Sequence, residues 1–574
     1  MIKNKTLQTA AVILILWFFV PAVYGGNIRI TKHNLSVSGP GPITAISEDR
    51  ICIFCHIPHQ NGTNSPYLWN RSANESIYTP YYSSTLNARV GQPTGSSRMC
   101  LSCHDGTIAI GETASGDTEI PFKGGIRFMP AQTPANQGTD LSDDHPVSMT
   151  YDASLAATDS ELKDPSLLPS SVKLENKDQV QCISCHDPHD DTYGNFLVMN
   201  NSSSSLCIEC HDKKGWSSAT HARSDAKLDR SGGLWANTDY KTVAENGCEN
   251  CHRPHSAGGK ARLLYYAYEE DNCLVCHNGG VATTDIETVI TKQYNHPVWQ
   301  YTGIHDAAED FASGDVPKHV ECVDCHNPHQ TNDDPSSGDG AVSGANRGVS
   351  GVSAQGRAVA EAANIYEICF KCHGDNSVIT VLPVTRQIAQ LNTRLEFDPS
   401  NPSFHPVEAP GKSADVPSLL SPYTTTSTIS CTDCHGSDDP AGPRGPHGSD
   451  WQYILSDQYE TADGTTETPS SYALCYKCHS RTSILNDESF VHEKHVVEQH
   501  TPCSACHDPH GVSFFQGNSI NNSHLINFDL TIVTPDDLGR IEYRDTGAFK
   551  GECSLKCHGN QHDKRGYPVE GPTP

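Results

Sequence analysis

The 574-residue chain has too little apolar material for a conventional large core. Hydrophobic residues make up 36%, aromatics 7%, and mean hydropathy is −0.49. Methionine occurs five times, which excludes it as a repeating ligand, and no cysteine lies outside a short motif. No Cys-x-x-Cys-Lys occurs, so one known marker of an open catalytic iron is missing. Beyond the first 25 residues no apolar run approaches the ~20 residues of a membrane span. Basic residues number 40 against 68 acidic ones, a net charge of −28. A chain this acidic is a poor partner for nucleic acid; the charge serves solubility and steers basic redox partners.

All 24 cysteines fall in twelve motifs. Eleven read Cys-x-x-Cys-His: Cys52, Cys55 and His56; Cys100, Cys103 and His104; Cys182, Cys185 and His186; Cys207, Cys210 and His211; Cys248, Cys251 and His252; Cys273, Cys276 and His277; Cys322, Cys325 and His326; Cys369, Cys372 and His373; Cys431, Cys434 and His435; Cys475, Cys478 and His479; Cys503, Cys506 and His507. The twelfth, Cys553, Cys557 and His558, has one more residue between its cysteines. Chance predicts roughly 0.05 such motifs in a chain of this composition. Two thiols one turn apart can form thioethers to the vinyl groups of haem, and the adjacent imidazole then becomes the proximal iron ligand. A disulfide framework or paired zinc half-sites would give no reason for the adjacent histidine. The expected cofactor is therefore covalent haem c, twelve copies, with the longer Cys553 motif the departure. At one motif per about 48 residues, no haem has a globular fold to itself, and the haems supply apolar surface themselves.

The motifs form six pairs, an internal repeat with unequal loops. The first member of five pairs continues as x-Pro-His, giving His59, His189, His255, His329 and His510, and the fifth pair carries Gly-Pro-His late, at His447. The units are read as 26–140, 141–218, 219–290, 291–400, 401–485 and 486–574, after an export signal over 1–25 with Lys3, Lys5 and an apolar stretch from Ala10 to Val20. Residues 331–357 are rich in Gly, Ser and Asp and read as a flexible linker. Helical periodicity is expected over 357–370 and 384–394, and the rest as coil with short helical turns and very little sheet: an elongated stack of haems with chain around it.

Of thirty histidines, twelve close motifs and eighteen remain. Bis-histidine ligation follows, with potentials below those of Met/His haems. Three residues reach about 10 Å, too short to pass around a haem rim, so each x-Pro-His must serve a neighbouring haem. A second group lies upstream of each pair: His33, His145, His221, His296, His405 and His495, of which His145, His296 and His405 share His-Pro-Val. His492 competes with His495, which is preferred. His305, His319, His492, His500, His524 and His562 are left over as surface residues, propionate contacts or alternative ligands.

With its doubled motifs and x-Pro-His extensions, the chain resembles the doubled-CXXCH multihaem c-type cytochromes, which include electron-transfer proteins of metal-reducing bacteria. The resemblance implies bis-His haems in a closely spaced chain, a coil-rich fold, and a role in extracellular or periplasmic anaerobic respiration. It implies partners such as other cytochromes, a porin conduit, a mineral surface or further copies of the chain. An exported location follows, at the outer-membrane surface, extracellular or periplasmic. The leading expectation is an electron conduit without substrate chemistry. The alternatives are a subunit of a cytochrome filament and a multihaem oxidoreductase with one open haem acting on nitrite, hydroxylamine or sulfur compounds.

Overall fold

A computed structural model describes residues 27–57, 66–72, 74–114, 118–299, 319–375, 381–414, 416–486 and 490–567. The expected export signal and His59 lie outside them. The longest helices are α1 (Gly95–His104) and α2 (Ile365–His373). Most other elements are single turns, and these turns are where the motifs sit: Cys52–Phe54, Cys182–Cys185, Cys207–Cys210, Gly247–Asn250, Cys322–Asp324, Cys431–Cys434 and Cys503–Ala505. Local chemistry starts several of them. At Ser430 the Asp433 carboxylate accepts the backbone N–H at 2.7 Å, and Asn364 and Glu367 repeat this box at the head of α2. The motif itself closes the turn. His56 N–H donates to Cys52 C=O at 2.8 Å, and His186, His211, His252, His326, His435, His479 and His507 do the same to their first cysteines. Cys and His four residues apart along the chain are thereby locked on one side of a single turn.

Sheet is confined to short pieces and one real sheet. Strands β1 (Val533–Thr534), β2 (Glu542–Gly547), β3 (Lys550–Cys557) and β4 (Asn560–Tyr567) form an antiparallel sheet in which β3 lies between β2 and β4, and β1 pairs its far end. The twelfth motif lies on β3. Two-residue ladders join distant segments: Tyr294–Asn295 to Gly448–Ser449, and Ser403–Phe404 to Gly511–Val512. Each joins the residues just before an upstream histidine (His296, His405) to those just after an x-Pro-His-type residue (His447, His510).

Buried apolar residues occur in small separate clusters that abut motif cysteines. Ala45, Phe54, Ile110 and Phe122 pack near Cys55; Met149, Tyr151, Ala156 and Val180 near Cys210; Phe370, Phe397 and Val407 near Cys431; and Ile526, Phe528, Val533, Tyr543 and Leu555 near Cys506, Cys553 and Cys557. None has the size of a self-sufficient core. Among the described residues no helix is long and apolar enough to cross a membrane.

Two expected helices differ. Helix α2 begins only at Ile365, because Ala358–Val359 is held in a ladder with Gly351–Val352. That ladder lies within and beside the stretch read as a flexible linker. Residues 384–394 are not helical up to Asn392, because their backbone is bonded to the last unit. Gln387 N–H donates to Phe528 C=O, Leu530 N–H to Thr385 C=O, and buried Arg386 donates to Ser504 C=O at 2.6 Å and Asn527 C=O at 2.9 Å. A strap so bonded cannot also close helical turns.

Clusters this small, most of them completed by motif cysteines, cannot hold the fold without the group the cysteines carry. Chain made without haem attachment should be degraded by trace protease under conditions in which the haem-loaded protein survives. Equal resistance of the two would contradict this.

Candidate haem-binding sites

The histidines expected at iron are brought together in face-to-face pairs. With metal–imidazole bonds of about 2.0–2.1 Å and ring nitrogens about 1.2 Å from the ring centre, two imidazoles on one iron have centres about 6.4 Å apart. His56 and His189 are 6.0 Å apart, His186 and His255 6.1 Å, His252 and His329 6.1 Å, His326 and His447 5.9 Å, and His435 and His510 6.2 Å. In each of these, the first motif of one unit faces the x-Pro-His or Gly-Pro-His residue of the next unit. The second motifs face upstream histidines of their own unit: His104 with His33 at 6.0 Å, His211 with His145 at 6.3 Å, His277 with His221 at 6.2 Å and His373 with His296 at 6.4 Å. His479 has His405 as its electrostatic neighbour. The two classes differ in ring orientation. First-motif pairs have interplanar angles of 9°, 9°, 16°, 36° and 47°, whereas those second-motif pairs have 52°, 62°, 78° and 87°.

The last unit departs from the pattern, since His507 faces a histidine of its own unit. It faces His492 at 6.4 Å, and His495 faces His562 at 6.2 Å. His558, expected as a proximal ligand, instead places its Nε2 2.8 Å from Asp463 Oδ1. Among the other unassigned residues, His319 is buried, His524 contributes its backbone carbonyl to His507, and His305 lies outside the described residues.

Hydrogen bonds to Nδ1 hold most of these rings and leave Nε2 as the nitrogen for a metal. For first motifs the acceptor is a carbonyl downstream: Tyr67 for His56, Asn195 for His186, Arg262 for His252, Ala345 for His326, Tyr453 for His435 and His524 for His507, at 2.7–3.0 Å. Five of these acceptors have positive φ, from 49° to 66°. The same strap donates back to the motif: Asn70, Val198, Tyr265, Ser456 and Asn527 N–H bond the carbonyls of Cys55, Cys185, Cys251, Cys434 and Cys506. The signal missed in the sequence is a residue followed by Leu, Phe or Ile downstream of five first motifs: Tyr67–Leu68, Asn195–Phe196, Arg262–Leu263, Tyr453–Ile454 and His524–Leu525.

The upstream histidines are held differently. Nδ1 of His33 bonds Pro188 C=O at 2.9 Å, His221 bonds Pro328 C=O at 2.9 Å, His296 bonds Pro446 C=O at 2.7 Å, and His405 bonds Pro509 C=O. Four of the x-Pro-His and Gly-Pro-His segments thus act twice. In each, the histidine faces one motif, and the proline carbonyl orients the histidine facing the next. His145 uses its own Pro146 carbonyl, while its N–H donates to Pro254 C=O. Two of the faced residues use carboxylates: His255 with Asp144 at 3.2 Å and His510 with Glu396 at 2.9 Å.

The thiols follow sequence order without a break. Second cysteines adjoin within units: Cys55 with Cys103, Cys185 with Cys210, Cys251 with Cys276, Cys325 with Cys372, Cys434 with Cys478, and Cys506 with Cys553 and Cys557. First cysteines adjoin between units: Cys100 with Cys182, Cys207 with Cys248, Cys273 with Cys322, Cys369 with Cys431, and Cys475 with Cys503. Burial pushes the Cys55, Cys185, Cys251 and Cys325 thiols up to about 12. Burial also lowers His211, His277, His373 and His479 to about 4, so these imidazoles are neutral at pH 7 and keep a lone pair for a metal. Among the described residues no group of three or more His, Cys, Asp or Glu side chains is placed to hold a bare metal ion. Thioether-spaced thiols and iron-spaced imidazoles fit haem and do not fit zinc.

Comparison with known proteins agrees in kind. The family described as doubled CXXCH motif matches residues 176–215 and 241–282, the second and third units. No curated protein matches the chain. The matched repeats support a multihaem c-type cytochrome, and the CXXCH motifs indicate covalently bound haem c.

Proposed function

We propose that the chain is a dodecahaem electron conduit built from six two-haem units, with each iron held between two histidines. Haem supplies one-electron redox chemistry; the chain fixes how many haems there are, how they are ordered and what ligates them. The observation that carries this reading is the series of imidazole pairs at 5.9–6.4 Å, whose thiols adjoin in sequence order from Cys55 to Cys553. All six first motifs and four of the second motifs have a facing imidazole, which favours transport over catalysis.

The N-terminal site is the more open end. Cys52 is exposed, and the His189 side chain is 57% exposed. Exchange with soluble redox partners or an extracellular acceptor belongs at such a terminal site, and the acidic surface favours basic partners. We place the protein outside the cytoplasm, as a carrier at the cell surface or in the periplasm. Ligand pairs that close within one chain, His492 serving the last unit included, favour a discrete carrier over a filament whose subunits share ligands.

The ligand set makes two predictions. Intact mass should show twelve haems, and the fully oxidised protein should be low-spin throughout. Its EPR should contain a rhombic class from the near-parallel first-motif pairs and a large-g class from the crossed second-motif pairs. A substantial high-spin signal would sink bis-histidine ligation. The second prediction concerns Glu396, whose carboxylate makes the His510 imidazole a stronger donor and stabilises ferric iron. Glu396→Gln should raise one haem potential by some tens of millivolts in a spectroelectrochemical titration. An unchanged or lower potential would contradict the assignment of His510.

A further inference from the structure

The twelfth motif is the one place where the helical turn is replaced by strand, and the change moves its histidine. In the other motifs the histidine N–H closes onto the first cysteine and keeps all three side chains together. With a third intervening residue, Cys553 and Cys557 stand four apart on β3. On a strand, residues four apart share a face and the next residue leaves it. Cys553, Leu555 and Cys557 accordingly pack against the same cluster with Val533 and Tyr543. His558 is then the first residue of the two-residue turn to Asn560, with φ of 47° at His558 and 74° at Gly559. Its Nε2, the atom a motif histidine gives to iron, faces the Asp463 carboxylate at 2.8 and 3.0 Å.

On β4, His562 lies opposite Leu555, between the partners of the two cysteines. Its ring is 6.2 Å from that of His495, within the range of the other pairs. His495 is carried by a π-helical turn, Glu493–Glu498, and its Nδ1 bonds Val491 C=O at 2.9 Å, the same kind of lock that the other upstream histidines have. Phe490 stacks on His495 at 5.1 Å and meets Tyr567 of β4 edge-on at 4.7 Å, so the same aromatic side chain holds the turn and the hairpin together. Both thiols adjoin Cys506 of the preceding motif, which continues the order of sites.

We propose that the twelfth haem is attached at Cys553 and Cys557 but ligated by His562 and His495, with His558 displaced from the iron and held by Asp463. This rests on the bis-histidine reading above. The test is methionine substitution at each candidate in the full haem-loaded chain, with intact mass counting haems in each variant. His562→Met should introduce a methionine–iron charge-transfer band, or one high-spin haem if the thioether does not reach, while His558→Met keeps the wild-type spectrum. A charge-transfer band or a spin change in His558→Met would overturn the proposal. So would twelve haems with unaltered spectra in both variants. If His558→Met loses its twelfth haem, attachment has failed, and the His562→Met spectrum alone decides. A wild-type protein with eleven low-spin haems and alkylatable Cys553 and Cys557 would remove the twelfth site while leaving bis-histidine ligation elsewhere intact.

Discussion

The structure depends on one repeated constraint: an imidazole whose Nδ1 is tied to a fixed acceptor, set with its ring centre 5.9–6.4 Å from that of a second imidazole. A histidine left free would lose side-chain entropy on binding and could choose either ring nitrogen. Here the chain has made that choice in advance. Carbonyls of downstream straps hold the first-motif rings, and proline carbonyls of the following unit hold the upstream rings. The straps need left-handed backbone at residues such as Tyr67, Arg262 and Tyr453, which is unfavourable for non-glycine residues. Its recurrence at equivalent places marks it as part of the device.

The same constraint explains the architecture. In the first five units the histidine facing the first motif belongs to the next unit, so each of these sites is shared across a junction. The proline beside that histidine orients a ring of the preceding unit as well. Successive units are thus bound by two contacts at each junction, in some cases with a short ladder alongside, as between Ser403–Phe404 and Gly511–Val512. Such a chain needs neither long helices nor a wide sheet. Its small apolar clusters seal the cysteines, and its coil is shaped by the positions the ligands must hold.

Much of this is legible in sequence. The motifs announce themselves, and the reach of x-Pro-His alone predicts that the histidine serves a neighbour. The upstream set is readable from its His-Pro-Val pattern and position. What escapes reading depends on three dimensions. The downstream straps carry only a single Leu, Phe or Ile after the acceptor residue, a signal too common to notice before the bonds to His56 or His252 are seen. The proline carbonyls are backbone atoms and leave no mark in composition. Residues 384–394 have helical periodicity, but Arg386 and its neighbours are claimed by the last unit. His492 and His562 do not stand out in the repeat pattern, because His507 faces a residue of its own unit and the last motif lies on a strand. The C-terminal unit therefore had to be seen rather than counted.

The most direct test is an electron cryomicroscopy map of the haem-loaded protein at a resolution that places iron and imidazole. The account predicts iron between His56 and His189, between His104 and His33, and so on through the pairs, with the first-motif ligand of each of the first five units coming from the following unit. A map in which x-Pro-His residues ligate haems of their own unit, or in which the paired imidazoles face each other without iron between them, would contradict it.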